Sequence, residues 1–260
     1  MRRSVLSLVV AAALLAGYGA VAVAGTLIGT DRADTLTGTS QPDQLYGEAG
    51  DDVLAGMDGN DYLEAGTGDD RVDGGRGVDL AIGGTGDDRV DEGSGGGVVY
   101  AGAGADTVLA GSGNDTVFGQ AGDDRLFGGP GRDRLYATGG NDLADGGSDA
   151  DRIVADGGVV TILGGGGKDV ILVATGNAMV RAGGGNDRIR TGSGSDEVSG
   201  GAGSDGIATG SGDDTVDVRD GRRDRVHCGP GDDIVRADRF DLVRGCESGA
   251  TAAKRSGRGR

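Results

Sequence analysis

The chain repeats every nine residues from residue 29 to residue 217, and this strict register limits the possible folds more than any other feature. The 21 units follow one another without insertion or deletion, as in AGTGDDRVD (65–73), AGSGNDTVF (110–118) and AGGGNDRIR (182–190). A fixed period held over this length predicts a solenoid in which each repeat packs mainly on its neighbours. The nine positions are numbered from Gly29, which is position one of the first unit.

Three positions of the unit are nearly constant. Position four is Gly in 18 of the 21 units, position six is Asp in 18, and position eight is apolar in all of them. The exceptions are Arg32, Gln41 and Asp149 at position four, and Gly97, Val160 and Ala178 at position six. Glycine allows the positive φ angles of tight turns, and one apolar residue between two others is typical of a strand with one buried face. We therefore expect a turn followed by a three-residue strand in which only position eight faces the core.

The units resemble the hemolysin-type (RTX) calcium-binding repeat, GGxGxDxUx, in which U is a large apolar residue; the resemblance covers nearly all of the chain beyond residue 28. It implies an all-β fold, a right-handed parallel β-roll (β-solenoid) with two nonapeptides in each coil of about 18 residues. It also implies that several Ca²⁺ ions lie between neighbouring turns, held by position-six Asp side chains and by turn carbonyl oxygens. Elementary electrostatics agrees, because carboxylates stacked about 4.8 Å apart repel one another unless a hard cation such as Ca²⁺ lies among them.

The resemblance assigns metal binding to every position-six Asp, and residues 18 apart fall into two rows on the two edges of the roll. One row contains Asp34, Asp52, Asp70, Asp88, Asp106, Asp124, Asp142, Asp196 and Asp214; the other contains Asp43, Asp61, Asp79, Asp115, Asp133, Asp151, Asp169, Asp187 and Asp205. After residue 217 the register slips by one residue (VRDGRRDRVH) and resumes as CGPGDDIVR, which adds Asp233. We expect the sites at Asp34 and Asp43 to be weak or empty, because Arg32 and Pro42 stand in their turns.

The composition excludes an ordinary globular core and favours a cation as partner. The 260 residues include 59 Gly, no Trp and 42 acidic against 25 basic side chains, for a formal net charge of −17. This acidity argues against nucleic acid as a partner. Low hydrophobicity with high net charge is typical of disorder. We therefore expect an extended chain at low calcium that folds as Ca²⁺ binds, at roughly the 10⁻⁴ to 10⁻³ M typical of extracellular modules.

The sequence predicts three segments. Residues 1–24 are typical of a signal peptide, with Arg2 and Arg3 before an apolar stretch and Ala22 and Ala24 in a small-residue cleavage pattern; a membrane anchor is the alternative. Residues 25–247 form the calcium-binding roll, and residues 248–260 form a disordered basic tail. The mature protein is expected to be secreted, extracellular or at the cell surface, without a membrane span.

The two cysteines, Cys228 and Cys246, are 18 residues apart, which is one coil. In a secreted chain this spacing predicts a disulfide that staples the C-terminal cap; a reactive thiol or thiolate metal site is the alternative. His227 is the single histidine, so neither a zinc site with a second His nor a Ser/His/Asp set outside the repeat is available. We expect no enzyme activity, with a calcium-dependent secreted enzyme acting on polysaccharide or protein as the alternative.

Four of the eight aromatic residues fall in one file at position nine, and Tyr100, Phe118 and Tyr136 are consecutive in it. Stacking between coils accounts for such a file. Alternatively the file docks a second roll, a cell-surface polymer or another protein. Position three carries no regular file of Thr or Asn, which argues against an ice-binding surface. The expected role is structural, in a matrix or in surface adhesion.

Overall fold

The computed structural model describes residues 25–246, so the predicted signal peptide (1–24) and tail (248–260) lie outside the described residues. The described part consists of 25 β-strands in two parallel sheets. Within this range no helix is long and apolar enough to cross a membrane.

Sheet A contains the 13 odd-numbered strands in chain order and sheet B the 12 even-numbered strands. The strands of sheet A are β1 (Thr26–Ile28), β3 (Gln44–Ala49), β5 (Tyr62–Thr67), β7 (Leu80–Thr85), β9 (Val98–Ala103), β11 (Thr116–Ala121), β13 (Arg134–Thr138), β15 (Arg152–Asp156), β17 (Val170–Val173), β19 (Arg188–Arg190), β21 (Gly206–Ala208), β23 (Arg225–His227) and β25 (Leu242–Arg244). The strands of sheet B are β2 (Thr35–Thr37), β4 (Val53–Ala55), β6 (Arg71–Arg76), β8 (Arg89–Ser94), β10 (Thr107–Leu109), β12 (Arg125–Pro130), β14 (Leu143–Ser148), β16 (Val159–Gly166), β18 (Asn177–Gly184), β20 (Glu197–Ser199), β22 (Thr215–Asp217) and β24 (Ile234–Arg236).

Each strand pairs with the strand one full coil away. Leu45 is registered with Leu63 in sheet A, and Val108 with Leu126 in sheet B, both at a separation of 18 residues. The chain therefore winds as a parallel β-solenoid of about 12 turns with about 18 residues per coil. The predicted fold class is confirmed.

The strands are longer than the sequence analysis predicted, and the core is correspondingly wider. In Arg71–Arg76 both Val72, at position eight, and Gly74, at position one of the next unit, are buried. The prediction of a single inward position was wrong because the strand continues through the unit boundary, and alternation places residues two apart on the same face. Position one must therefore be small, and Ala65 and Ala101 are fully buried there.

A second hydrogen-bond ladder follows the turns at position five. Each Asp or Asn at this position accepts the backbone N–H of the position-five residue one coil later; Asp69 N donates to Asp51 Oδ1 over 3.0 Å, and Val78 N to Asn60 Oδ1 over 3.0 Å. The same bond is made by Asp69, Asp87, Asn114, Asp123, Asn141, Asn177, Asn186 and Asp213. The ladder satisfies turn N–H groups that the sheets do not use.

The register slip after residue 217 is present, and it closes at the end of the roll. Gly206 pairs with Arg225, 19 residues on, whereas Arg225 pairs with Leu242, 17 residues on. The compensation keeps Cys228 and Cys246 one coil apart, and they form the predicted disulfide with 5.1 Å between their Cα atoms.

The tight turns predict opposite outcomes for two glycines. Gly131, at position four, has a φ of 140°, and an added Cβ would overlap the carbonyl oxygen of Gly113. Gly166, at position three, has no atom within 4 Å of an added Cβ and lacks a positive φ. Gly131→Ala should therefore lower the free energy of unfolding by about 1–3 kcal/mol or more, while Gly166→Ala should leave it nearly unchanged. Thermal unfolding in saturating calcium compares the two variants; equal midpoints would contradict the turn geometry.

Candidate metal-binding rows

The position-six Asp residues lie immediately before the strands, and their carboxylates point into the roll. Row A precedes the strands of sheet A, and row B precedes those of sheet B. Row A contains the predicted Asp43, Asp61, Asp79, Asp115, Asp133, Asp151, Asp169, Asp187 and Asp205; row B contains Asp34, Asp52, Asp70, Asp88, Asp106, Asp124, Asp142, Asp196, Asp214 and Asp233. All of them are at most 4 % exposed except the half-buried Asp34.

One oxygen of each row carboxylate is used by the backbone. Oδ1 accepts the N–H of the position-six residue one coil earlier, as when Asp115 N donates to Asp133 Oδ1 over 2.9 Å. In row A this pattern continues beyond the predicted set, because Asp205 N donates to Asp224 Oδ1 over 2.7 Å and Asp224 N to Asp241 Oδ1 over 3.0 Å.

The sequence analysis missed Asp224 and Asp241. The register slip hid them from a nine-residue count. The signal was an Asp two residues before the inward apolar residue of a strand, Val226 or Val243, as in every regular unit.

The second oxygen of most row carboxylates has no partner. The Oδ2 atom is buried without a hydrogen bond in Asp52, Asp61, Asp70, Asp79, Asp88, Asp106, Asp115, Asp124, Asp133, Asp151, Asp169, Asp187, Asp196, Asp205, Asp214, Asp224 and Asp233. A buried polar atom left unpaired costs about 1–3 kcal/mol, and more when it is charged. A row of such atoms therefore requires protons or cations.

The unpaired oxygens lie beside main-chain carbonyl oxygens. A Cβ built on Gly128, at position one, would lie 2.6 Å from Asp133 Oδ2 and 2.6 Å from the carbonyl oxygen of Gly146 one coil on. The same arrangement recurs where Gly56 faces Asp61 and the Gly74 carbonyl. Only oxygen atoms converge there, and Ca²⁺ prefers oxygen ligands.

The described residues contain no cluster of three or more His, Cys, Asp or Glu side chains arranged to hold a metal. An ion in a row must therefore take part of its coordination from carbonyl oxygens. This division of ligands is the one that the resemblance implies.

The carboxylates at the start of the rows differ from the rest. Thr30 donates its N–H and its hydroxyl to Asp34 Oδ2 over 2.6 and 2.8 Å, and Thr39 does the same to Asp43 Oδ2 over 2.6 and 2.8 Å. The protein thus supplies the donors that Oδ2 lacks elsewhere. Weak or empty sites at these two positions stay a prediction.

The far end of row A is closed in a similar way. Asp241 Oδ2 accepts the N–H of Asp238 over 2.7 Å, while its Oδ1 accepts the N–H of Asp224. Both ends of row A therefore end in carboxylates whose two oxygens are hydrogen-bonded by the protein. The open oxygens lie between them.

Row B is interrupted by apolar packing. Val160 and Ala178 occupy position six in successive coils of this row and are 1 % and 3 % exposed. Val173, at position one beside Ala178, is also buried. Strands β16 and β18, which start at Val159 and Asn177, pair from their first residues and have eight residues each. The coils are joined here by backbone pairing and hydrophobic contact.

Burial raises the pKa of most row carboxyl groups above the ordinary value of 3.8. The pKa of Asp88 rises to about 7 and that of Asp151 to about 8, chiefly through burial. The hydrogen bond from the preceding coil lowers each pKa by less than burial raises it, and repulsion from the neighbouring Asp raises it further. Without a cation, these groups favour the protonated form.

The profile of the RTX calcium-binding nonapeptide repeat (4 copies) matches eight overlapping stretches of the chain: 28–63, 55–90, 64–99, 92–126, 100–135, 127–159, 145–180 and 181–216. The chain belongs to the RTX calcium-binding repeat family. It is therefore a calcium-binding repeat protein, and its buried Oδ2 atoms are the oxygens that such a role requires.

Among solved structures, this RTX protein is similar to a hyperactive, Ca²⁺-dependent, β-helical antifreeze protein from an Antarctic bacterium. The TM-score is 0.64 with 23 % sequence identity, over 83 % of each chain. At this identity the likeness shows the fold alone. No curated protein matches the chain at a significant level.

The raised pKa values predict that acid replaces calcium in folding. Protons bind these groups more tightly in the folded than in the unfolded metal-free chain, so their contribution to stability is complete below about pH 4 and is lost as the pH rises through about 6 to 8. In chelator, the β-sheet circular dichroism signal should therefore fall as the pH is raised over this range. The same titration in saturating calcium is the control and should stay flat above neutrality. A signal in chelator that grows with pH would contradict the prediction.

Proposed function

We propose that this protein is a secreted, non-enzymatic rod that folds outside the cell when Ca²⁺ binds, and that it serves as a structural or adhesive element. The observation that carries this proposal is the two rows of buried carboxylates, each with one oxygen on the backbone and the other without a partner. Bound Ca²⁺ supplies positive charge and coordination sites for these oxygens.

The metal-free roll is disfavoured because folding brings like charges one strand spacing apart inside the protein. In water the same carboxylates are solvated and far from one another, so the unfolded chain does not bear this cost. A cation that binds only the folded rows shifts the equilibrium toward the roll. Calcium is scarce in the cytosol and abundant outside, which matches an N-terminal signal for export.

The placement of the carboxylates supports the proposal that the rod is not an enzyme. Acid/base catalysis requires a carboxyl group within hydrogen-bond reach of the substrate. Row carboxylates such as Asp133 are about 1 % exposed and bonded to the neighbouring coil, so a polymer on the surface does not reach them. His227, the single histidine, lies on exposed strand β23. A calcium-dependent enzyme acting on polysaccharide or protein is therefore disfavoured.

Ice binding is also not proposed, although the structural neighbour is described as an antifreeze protein. Position three reads Ala49, Thr67, Thr85, Ala103 and Ala121 along one edge, so hydroxyl groups do not repeat from coil to coil. The Asn and Asp side chains at position five repeat more often, but their Oδ1 atoms accept backbone N–H groups.

The outer face of sheet A supports a role in association with a second copy of the roll. Tyr100 and Phe118 stack with ring centroids 4.8 Å apart, and Phe118 and Tyr136 with centroids 4.7 Å apart, so the predicted stacking between coils is present. Around them the outward residues are apolar and half-buried, including Leu80, Ile82, Val98, Val154, Val170 and Leu172. A second roll has the same coil spacing, so its side chains match this face along its length.

Calcium dependence is tested on residues 25–260. We expect a weak β-sheet circular dichroism signal in chelator at neutral pH, a strong one in millimolar calcium, and several tightly held ions per chain in equilibrium dialysis. The calcium-loaded protein should lose its signal again when chelator is added. A chain that is fully folded in chelator and retains no Ca²⁺ after dialysis would contradict the proposal.

Association through sheet A is tested with the triple variant Tyr100→Ser, Phe118→Ser, Tyr136→Ser in calcium. We expect the wild-type protein to self-associate in sedimentation velocity and the triple variant to do so less, because apolar contact area is lost. Phe127→Ser, on the outer face of sheet B, is the matched control and should behave as wild type. Equal sedimentation of wild type and triple variant would exclude the docking role and leave the aromatic file as internal stacking.

A further inference from the structure

One buried carboxylate stands outside the repeat pattern. Glu92 occupies position one of the unit EGSGGGVVY (92–100), where the other units carry Gly or a short side chain, and it is fully buried. Its unit is also the one that has Gly97 in place of the position-six Asp. The long acidic side chain and the missing Asp therefore occur together.

The Glu92 carboxylate occupies the volume that an Asp at position 97 would fill. A Cβ built on Gly97 would overlap Glu92 Oε1 and lie 3.0 Å from its carboxyl carbon. The same Cβ would lie 2.5 Å from the carbonyl oxygen of Asp79 one coil earlier. Glu92 reaches this position from position one because Gly97 has no side chain.

The backbone of row A continues through this coil. Gly97 N donates to Asp115 Oδ1 over 2.7 Å, as the N–H of a position-six Asp does in other coils. The Asp79 N–H lies near the Glu92 carboxylate and tends to lower its pKa, but no hydrogen bond of ordinary geometry forms. The coil therefore keeps the row geometry and takes its carboxylate from another residue.

Both oxygens of Glu92 are buried without a hydrogen-bond partner. Asp79 and Asp115 are close enough on either side to repel the Glu92 charge, and the ion pairs found in the described residues involve neither Glu92 nor these neighbours. A buried carboxylate in this position is stable only when a proton or a cation compensates it.

We propose that Glu92 is a calcium ligand that replaces the missing position-six Asp and completes two ion sites, one between Asp79 and Glu92 and one between Glu92 and Asp115. This inference rests on the calcium-dependent folding proposed above. It makes row A continuous from Asp43 to Asp241, although the nine-residue pattern alone places a gap at Gly97.

The gap in row B shows what an uncompensated loss looks like. Val160 and Ala178 replace Asp there, and their position-one neighbours are Ala155 and Val173. All four side chains are apolar and buried, and they belong to the continuous hydrophobic core. At Gly97 the position-one neighbour is a carboxylate instead, so the chemistry of the row is retained.

The test compares Glu92→Ala with a rescue variant, Glu92→Ala/Gly97→Asp. The single substitution removes the carboxylate, and the rescue creates the regular unit AGSGGDVVY, which resembles AGAGADTVL (101–109). Asp91→Asn is the matched charge control, because Asp91 is the adjacent residue on the outer face of sheet B. Bound Ca²⁺ per folded chain is measured by equilibrium dialysis at saturating calcium, with circular dichroism to verify folding.

We expect Glu92→Ala to bind two ions fewer than wild type, Asp91→Asn to bind the wild-type number, and the rescue variant to recover both ions. If Glu92→Ala does not fold, recovery of folding and of the full ion count by the rescue variant supports the proposal, and its failure to recover them refutes it. A folded Glu92→Ala that binds the wild-type number of ions overturns the role of Glu92. A wild-type chain that binds no Ca²⁺ instead overturns the proposed function itself.

Discussion

The division of labour within each buried carboxylate governs the rest of the structure. Oδ1 accepts a backbone N–H from the preceding coil and so fixes the stacking of the turns, whereas Oδ2 is left among carbonyl oxygens without a donor. The first contact makes the roll geometrically specific, and the second makes it electrostatically incomplete. A metal-binding solenoid follows from this combination, because the arrangement that orders the backbone also collects negative charge.

The two rows resolve this incompleteness differently along the chain. Row A keeps a carboxylate in every coil and closes at Asp43 and Asp241, where the protein supplies the donors. Row B is divided by Val160 and Ala178, where apolar contact and longer strand pairing replace the charged site. Stability in a solenoid is nearly a sum of contributions from neighbouring coils. The middle of row B therefore depends less on metal than its two flanks.

The repeat register was enough to predict the solenoid, the length of the coil, the two rows and the pairing of Cys228 with Cys246, because each follows from a period of nine or its double. What the register missed are features that break the period or lie within one unit. Asp224 and Asp241 were shifted out of phase by one inserted residue. The inward face of position one depends on how far a strand continues past the unit boundary, and Gly or Ala at that position does not reveal it. Glu92 became interpretable only when the structure placed its side chain over Gly97.

The two ladders at the turns run in opposite directions. Position-five side chains accept N–H groups from the following coil, whereas position-six side chains accept them from the preceding coil. Each coil therefore remains unfinished until its successor arrives with fresh carboxylates. A polypeptide that emerges from an export channel amino end first delivers those successors in order, so winding proceeds toward the carboxyl end. The last coil has no successor, and there a covalent sulfur bridge takes over the task of closure.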